Sequence, residues 1–336
     1  MGFKDVVTIL QEDLKRVEAY LKRNFQSDVT LIPTISSYLS NGGGKRLRPI
    51  LVLAASKLCG YNGGDRHIRY SCVVELIHAA TLLHDDVVDE ADIRRGIPSA
   101  NAKWGNDASV LVGDYLFSMS FSLMAEECDK RIITLMSDVS RKVAEGEVKQ
   151  LICKYDLDTA EDVYIDVISR KTAALISACC GIGAMLGGVT HDKEDALISF
   201  GENIGIAFQL IDDVLDYTSN EIVLGKPVGN DLSEGKVTLP LIHLYKEAKE
   251  KERDELKEIV KSYKTCSKRS ESIGNEQLKR IIYLMNNYGS IDYTMNIARK
   301  YIENAKSDIT PLMQASSEKY FNALISLADY ILERKN

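Results

Sequence analysis

Three observations predict an all-α fold for this chain of 336 residues. Only 6 prolines and 22 glycines interrupt it, aromatic residues make up 7%, and apolar residues recur at three- and four-residue spacing almost throughout. A β-sandwich or barrel needs many more turns than this. No sustained period-two run with hairpin signals occurs, so strands are not expected. With 45% hydrophobic and 27% charged residues the chain can bury a sizeable core. No stretch reads as a linker, and residues 1–336 are expected to form one domain.

Leu14, Val17, Leu21 and Phe25 mark an amphipathic N-terminal helix. Asn41-Gly42-Gly43-Gly44 ends a second helix. Further helical patterns fill roughly 47–59, 66–90, 107–127, 130–152, 160–188, 194–219 and 238–262. Thr159 followed by Asp162 resembles a capping box for the helix that carries Arg170 and Lys171. Segments near 276–288, 289–307 and 311–333 read as closing helices. Loops are expected from Asp92 to Gly105, from Glu221 to Gly235 and from Thr265 to Glu276. The alternating Glu and Lys residues from Lys246 to Lys257 read as a solvated helix face.

The net charge of −7 gives no global reason to bind nucleic acid or an anionic membrane surface. An anionic ligand would have to be held by a local basic patch or by metal. The seven cysteines (Cys59, Cys72, Cys128, Cys153, Cys179, Cys180 and Cys266) are odd in number and lack a CxxC pair. They read as reduced thiols of a cytoplasmic protein. The N-terminus is charged within five residues, at Lys4 and Asp5, and offers no apolar signal segment. From Thr172 to His191 no residue but His191 is acidic or basic, and this length nominally spans a bilayer. Its small residues, among them Gly181, Gly183, Gly187 and Gly188, instead suit a helix crowded on every side within a bundle. An integral membrane protein is not expected.

Two short segments match in register, Leu83-His84-Asp85-Asp86-Val87-Val88-Asp89 and Leu210-Ile211-Asp212-Asp213-Val214-Leu215-Asp216. On a helix, residues four apart lie about 40° apart around the axis. Asp85 and Asp89 should therefore share a face, with Asp86 turned about 100° away, and likewise Asp212, Asp216 and Asp213. Each triad follows a strongly apolar turn, Ala79 to Leu83 or Ile206 to Leu210, at the end of a buried helix. Without a cation such carboxylates shift toward protonation. A single DDxxD is most simply a solvent-facing acidic patch. Two copies ending apolar helices instead suggest acidic walls that clamp a diphosphate through Mg²⁺, a hard ion that takes one or two carboxylates plus phosphate oxygens.

Basic residues flank both motifs. Lys45 and Arg48 stand three apart behind Gly42-Gly43-Gly44, beside a helix start that favours anions. Arg94 and Arg95 follow the first triad, Lys226 and Lys236 follow the second, and Lys171 begins the uncharged helix. Any one of them could be an ordinary surface charge. Their common placement favours holding a phosphorylated substrate. His78, seven residues before Asp85, lies on nearly the same helix face.

Together these residues resemble the all-trans polyprenyl diphosphate synthases. The match runs from Gly43-Gly44-Lys45-Arg46-Leu47-Arg48-Pro49 through Glu75-Leu76-Ile77-His78, the first triad, Arg94-Arg95-Gly96 and Gly113-Asp114-Tyr115-Leu116. It continues with Lys171-Thr172, Phe208-Gln209-Leu210-Ile211-Asp212-Asp213 and Gly225-Lys226-Pro227. The resemblance implies a bundle of mostly antiparallel helices around a deep apolar cavity, a homodimer, and three Mg²⁺ ions per site with substrate bound. Asp85, Asp86, Asp89, Asp212 and Asp216 would bind the metal, with Asp213 acting indirectly or through water. Arg94, Lys171, Lys226 and Lys236 would hold the allylic diphosphate, with Thr172 and Gln209 close by. Lys45, Arg48, His78 and Arg95 would hold isopentenyl diphosphate.

In that family bulky aromatics four and five residues before the first motif shorten the product. Here those positions are Thr81 and Ala80, both small, with Ile77 a candidate at the next level. The surrounding residues are most similar to the long-chain enzymes that make quinone side chains, which implies an octaprenyl product. Geranylgeranyl, heptaprenyl and solanesyl products stay open. Rival readings are a class I terpene cyclase, against which Lys45, Arg48 and the second triad argue, and a non-catalytic subunit of a heteromeric synthase. A helical scaffold without chemistry leaves the paired motifs unexplained.

Overall fold

The computed structural model describes residues 1–41, 44–218, 228–265 and 275–334. The N-terminal periodicity resolves into two helices, α1 (Phe3–Ile9) and α2 (Gln11–Asn24), which bury Val6, Val17 and Leu21. They are followed by α3 (Leu31–Asn41), α4 (Leu47–Leu58), α5 (Arg66–Val88), α6 (Ala100–Trp104), α7 (Asn106–Glu127) and α8 (Lys130–Ile152). Next come α9 (Glu161–Ile168), α10 (Ala174–Gly187), α11 (His191–Thr218) and the short α12 (Asn230–Ser233). The chain closes with α13 (Leu239–Glu247), α14 (Glu250–Thr265), α15 (Asn275–Asn287), α16 (Ser290–Ile309) and α17 (Glu318–Glu333).

The all-α expectation holds, with one local exception. Ile93–Arg94 (β1) pairs antiparallel with Ile97–Pro98 (β2). The two-residue turn between them, Arg95-Gly96, has positive φ at both positions (52° and 76°), the geometry that closes a tight hairpin. Two-residue strands are too short to carry a period-two signal, so the sequence reads only as a loop there. The expected helix over 238–262 also breaks, because Ala248 turns to extended backbone and separates α13 from α14.

The core is built chiefly where α5 meets α7, where α10 packs on α4 and α11, and where α11 packs on α16. Apolar residues of α10 such as Ile176, Cys179, Cys180 and Ile182 are buried. Among the described residues two helical stretches are long and apolar enough to cross a membrane. Of these, Glu161–Gly187 has 72% of its most apolar window covered by neighbours, as expected for a crowded core helix, whereas Asn106–Glu127 has only 39% covered.

Between α9 and α10 the helix widens into a π turn over Ser169–Ala173. Two glycines admit it. A Cβ at Gly146 of α8 would stand 2.9 Å from the Lys171 backbone nitrogen, and one at Gly205 of α11 would stand 2.5 Å from the Ala173 Cα. The turn carrying Lys171 and Thr172 is thus held between two helix backbones. The expected capping box before it does not form. Thr159 Oγ1 donates to the Asp156 carbonyl instead, and Asp162 accepts from the Val163 N–H.

Candidate active site

The ends of α5 and α11 open on one cavity of about 890 Å³. Asp85, Asp86 and Asp89 line it from one side, Asp212 and Asp213 from the other. Lys45, Arg48, His78, Arg94, Arg95, Lys171, Thr172, Gln209 and Lys236 line the same space, so most of the residues singled out in the sequence converge. Lys226 lies outside the described residues.

The carboxylates already have cationic partners. Arg94 Nε and Nη2 lie 2.7 and 2.6 Å from one oxygen of the buried Asp86. Burial pushes the Asp86 carboxyl above the usual carboxylate range, and Arg94 opposes the shift. Lys236 Nζ donates to Asp89 at 2.9 Å and Lys154 Nζ at 3.5 Å. Burial alone would raise the Asp89 carboxyl, but Lys236, Lys171 and Lys154 outweigh it and hold it below its ordinary value. Asp212 Oδ1 lies 2.9 Å from Arg334 Nη1, which extends from the end of α17.

The basic side of the cavity follows from local backbone geometry. Arg46, the residue before α4, takes a left-handed conformation (φ 51°). Its guanidinium turns to Glu18, to Glu75 at 2.9 Å and to Ser40. Lys45 and Arg48 are left facing the cavity with His78 and Arg95. Burial and the surrounding arginines, Arg48 and Arg95 foremost, push His78 well below its ordinary value, so it stands neutral.

Three expectations need correction in position. Asp216 does not line the cavity with Asp212. The chain returning through α12 covers it, and its Oδ2 accepts the backbone N–H of Asp231 at 3.0 Å. Asp213 and Asp231 line the cavity instead. Among the chain-length candidates Thr81 lines the cavity, whereas Ala80 and Ile77 are buried in the layer behind it and Ala79 and Leu82 face in.

Sequence reading missed Glu147, Gln150, Lys154 and Arg334. Glu147 Oε1 lies 2.5 Å from Lys171 Nζ, which also donates to Gln150 Oε1 at 2.9 Å. Burial and the nearby Asp85 raise the Glu147 carboxyl from 4.5 to about 7, against the pull of Lys171. Glu147 and Gln150 share a helix face three residues apart, the one available signal. Nothing near Arg334 in the sequence marks it as a cavity residue.

The donor set fits Mg²⁺ held jointly with a phosphorylated ligand. The motif carboxylates that line the cavity are hard oxygen donors on two helix ends. Among the described residues no three His, Cys, Asp or Glu side chains form a group that could hold an ion by itself.

Residues 29–276 match the model of a family described as polyprenyl synthetase. The chain is 39% identical over 334 residues to octaprenyl diphosphate synthase of Haemophilus influenzae, covering 99% of this chain and 98% of that protein. It superposes with a TM-score of 0.92 on a polyprenyl synthase from Caulobacter crescentus, crystallised with calcium and isoprenyl diphosphate. That pair is 36% identical, with 100% and 98% of the two chains covered. A decaprenyl diphosphate synthase from Rhodobacter capsulatus gives 0.91 at 38% identity, with both chains fully covered. These relatives differ in the product length their names give.

Proposed function

The chain belongs to the polyprenyl synthetase family, a family of prenyl-group transferases, and on that premise we propose that it condenses isopentenyl diphosphate with an allylic diphosphate, farnesyl diphosphate as primer. The observation that carries this reading is the single cavity with acidic motifs on two walls and two groups of cations between them.

Arg94, Lys171 and Lys236, with Lys226, hold the allylic diphosphate, while Lys45, Arg48, Arg95 and the neutral His78 hold isopentenyl diphosphate. Asp85, Asp86, Asp89 and Asp212 would hold Mg²⁺, and Asp216 acts by fixing the backbone of Asp231. When bound, Mg²⁺ neutralises charge developing on the leaving diphosphate. The allylic C–O bond breaks with its electron pair going to the diphosphate, which the surrounding cations stabilise. Apolar walls including Leu82, Leu175, Ile176 and Phe208 keep water from the allylic cation. The double bond of isopentenyl diphosphate supplies the electrons of the new C–C bond, and the departed diphosphate takes the released proton. Repetition lengthens the chain.

The small residue at Thr81 and the identity to an octaprenyl synthase support a long, octaprenyl product for quinone side chains. We also read residues 1–336 as one domain of a cytoplasmic homodimer. The incompletely covered α7, with Leu111 67% exposed, is the face a second copy would cover. The test is substitution of either acidic wall. Asp85→Asn and Asp212→Asn should each lower incorporation of labelled isopentenyl diphosphate by about a hundredfold or more with the helical circular dichroism unchanged. Wild-type incorporation in both variants would overturn the reading.

A further inference from the structure

Behind the acidic wall of α11 a chain of side-chain hydrogen bonds runs from the core to the cavity. The hydroxyl of Tyr164, buried on α9, donates to Asp213 Oδ2 at 2.5 Å. Gln209 Nε2 donates to the other oxygen, Asp213 Oδ1, at 2.8 Å. Thr172 Oγ1, on the π turn, donates to Gln209 Oε1 at 2.9 Å. The chain thus links three elements, and its last two members face the cavity beside Lys171.

The NH₂ end of Gln209 faces Asp213 and its carbonyl end faces Thr172, so both ends of the amide are paired. Among the described residues Tyr164 is the donor to Oδ2, so its hydroxyl keeps the Asp213 carboxyl group from turning. Tyr164 itself does not line the main cavity. It borders an adjoining space of about 80 Å³ behind Asp213.

We propose that Tyr164 is a positioning residue for the transferase reaction, acting through Asp213 to hold Gln209 and Thr172 at the allylic end of the cavity. This rests on the function proposed above. Removing only the hydroxyl, Tyr164→Phe, leaves the aromatic packing in place and releases the Asp213 carboxyl group.

The experiment is a double-mutant cycle on the full-length chain, measured by steady-state kinetics with farnesyl diphosphate and labelled isopentenyl diphosphate. Tyr164→Phe should lower kcat by about tenfold, with KM for isopentenyl diphosphate within about twofold of wild type. On a Gln209→Ala background the same substitution should lower kcat by less than about twofold, because its route to the site is already cut. A general loosening of the fold would not produce that split or that coupling. Wild-type kinetics in Tyr164→Phe, or an undiminished loss on the Gln209→Ala background, overturns the inference. If Tyr164→Phe does not fold, Thr172→Val removes the opposite end of the chain and must show the same split and coupling. An inactive wild-type chain overturns the functional reading and this inference with it, whereas an active wild type with unaffected variants overturns this inference alone.

Discussion

Arg94 places Nε and Nη2 on the same oxygen of Asp86, at 2.7 and 2.6 Å, and so ties the β-hairpin to the end of α5. Asp86 is almost wholly buried, so its charge depends on this one guanidinium more than on water. Removing the arginine strands a buried carboxylate. Arg94→Ala should therefore cost about 3 kcal/mol in urea unfolding of the ligand-free protein. The paired change Arg94→Ala with Asp86→Asn should recover part of that loss, because the stranded charge is gone.

Glu147 offers a pH signature. Its carboxyl is raised from 4.5 to about 7 in the folded protein, mainly by burial and by Asp85. The folded state therefore binds this proton more tightly than the unfolded state. Full stability is present below the unfolded value and is lost as pH rises from about 4.5 toward about 7. Glu147→Gln cannot titrate, so the Tm of the variant relative to wild type should rise across that window and level off above it. A constant Tm difference from pH 4.5 to 7.5 would contradict the assignment.

Both acidic motifs, the basic residues around them and the helical class were legible in the sequence. Their signals are local: like charges at helical spacing after apolar turns, and cations directly after them. What was not legible depends on chain folding back from far away. Asp216 looks equivalent to Asp212 by spacing, but the return of α12 over the end of α11 sets it against the Asp231 backbone. Arg334 meets Asp212 only because α17 ends beside α11. The π turn at Lys171 follows from backbone approach at Gly146 and Gly205, and a glycine in a helix does not reveal what will pack on it.

Thr81 borders the cavity with its hydroxyl donating to the His78 carbonyl at 2.9 Å. A phenyl ring there would fill the space into which a lengthening chain must pass. Thr81→Phe should shorten the product while leaving the rate of the first condensation near wild type. Chromatography of the dephosphorylated products reads this directly, and an unchanged product length would remove Thr81 from the account.

Leu111 is 67% exposed and Val110 37% exposed on α7. If a second copy covers this face, Leu111→Arg places a charge where apolar surface is buried. Light scattering after size exclusion should show a dimer for wild type and a shift toward monomer for Leu111→Arg. Wild-type monomer at micromolar concentration would contradict the proposed homodimer.

The most direct measurement incubates the purified chain with farnesyl diphosphate, labelled isopentenyl diphosphate and Mg²⁺, with a chelator-treated sample beside it. The account predicts a ladder of all-trans products ending at octaprenyl, lost in the chelated sample. No incorporation by folded protein with Mg²⁺ present would contradict the proposed transferase and favour a non-catalytic subunit instead.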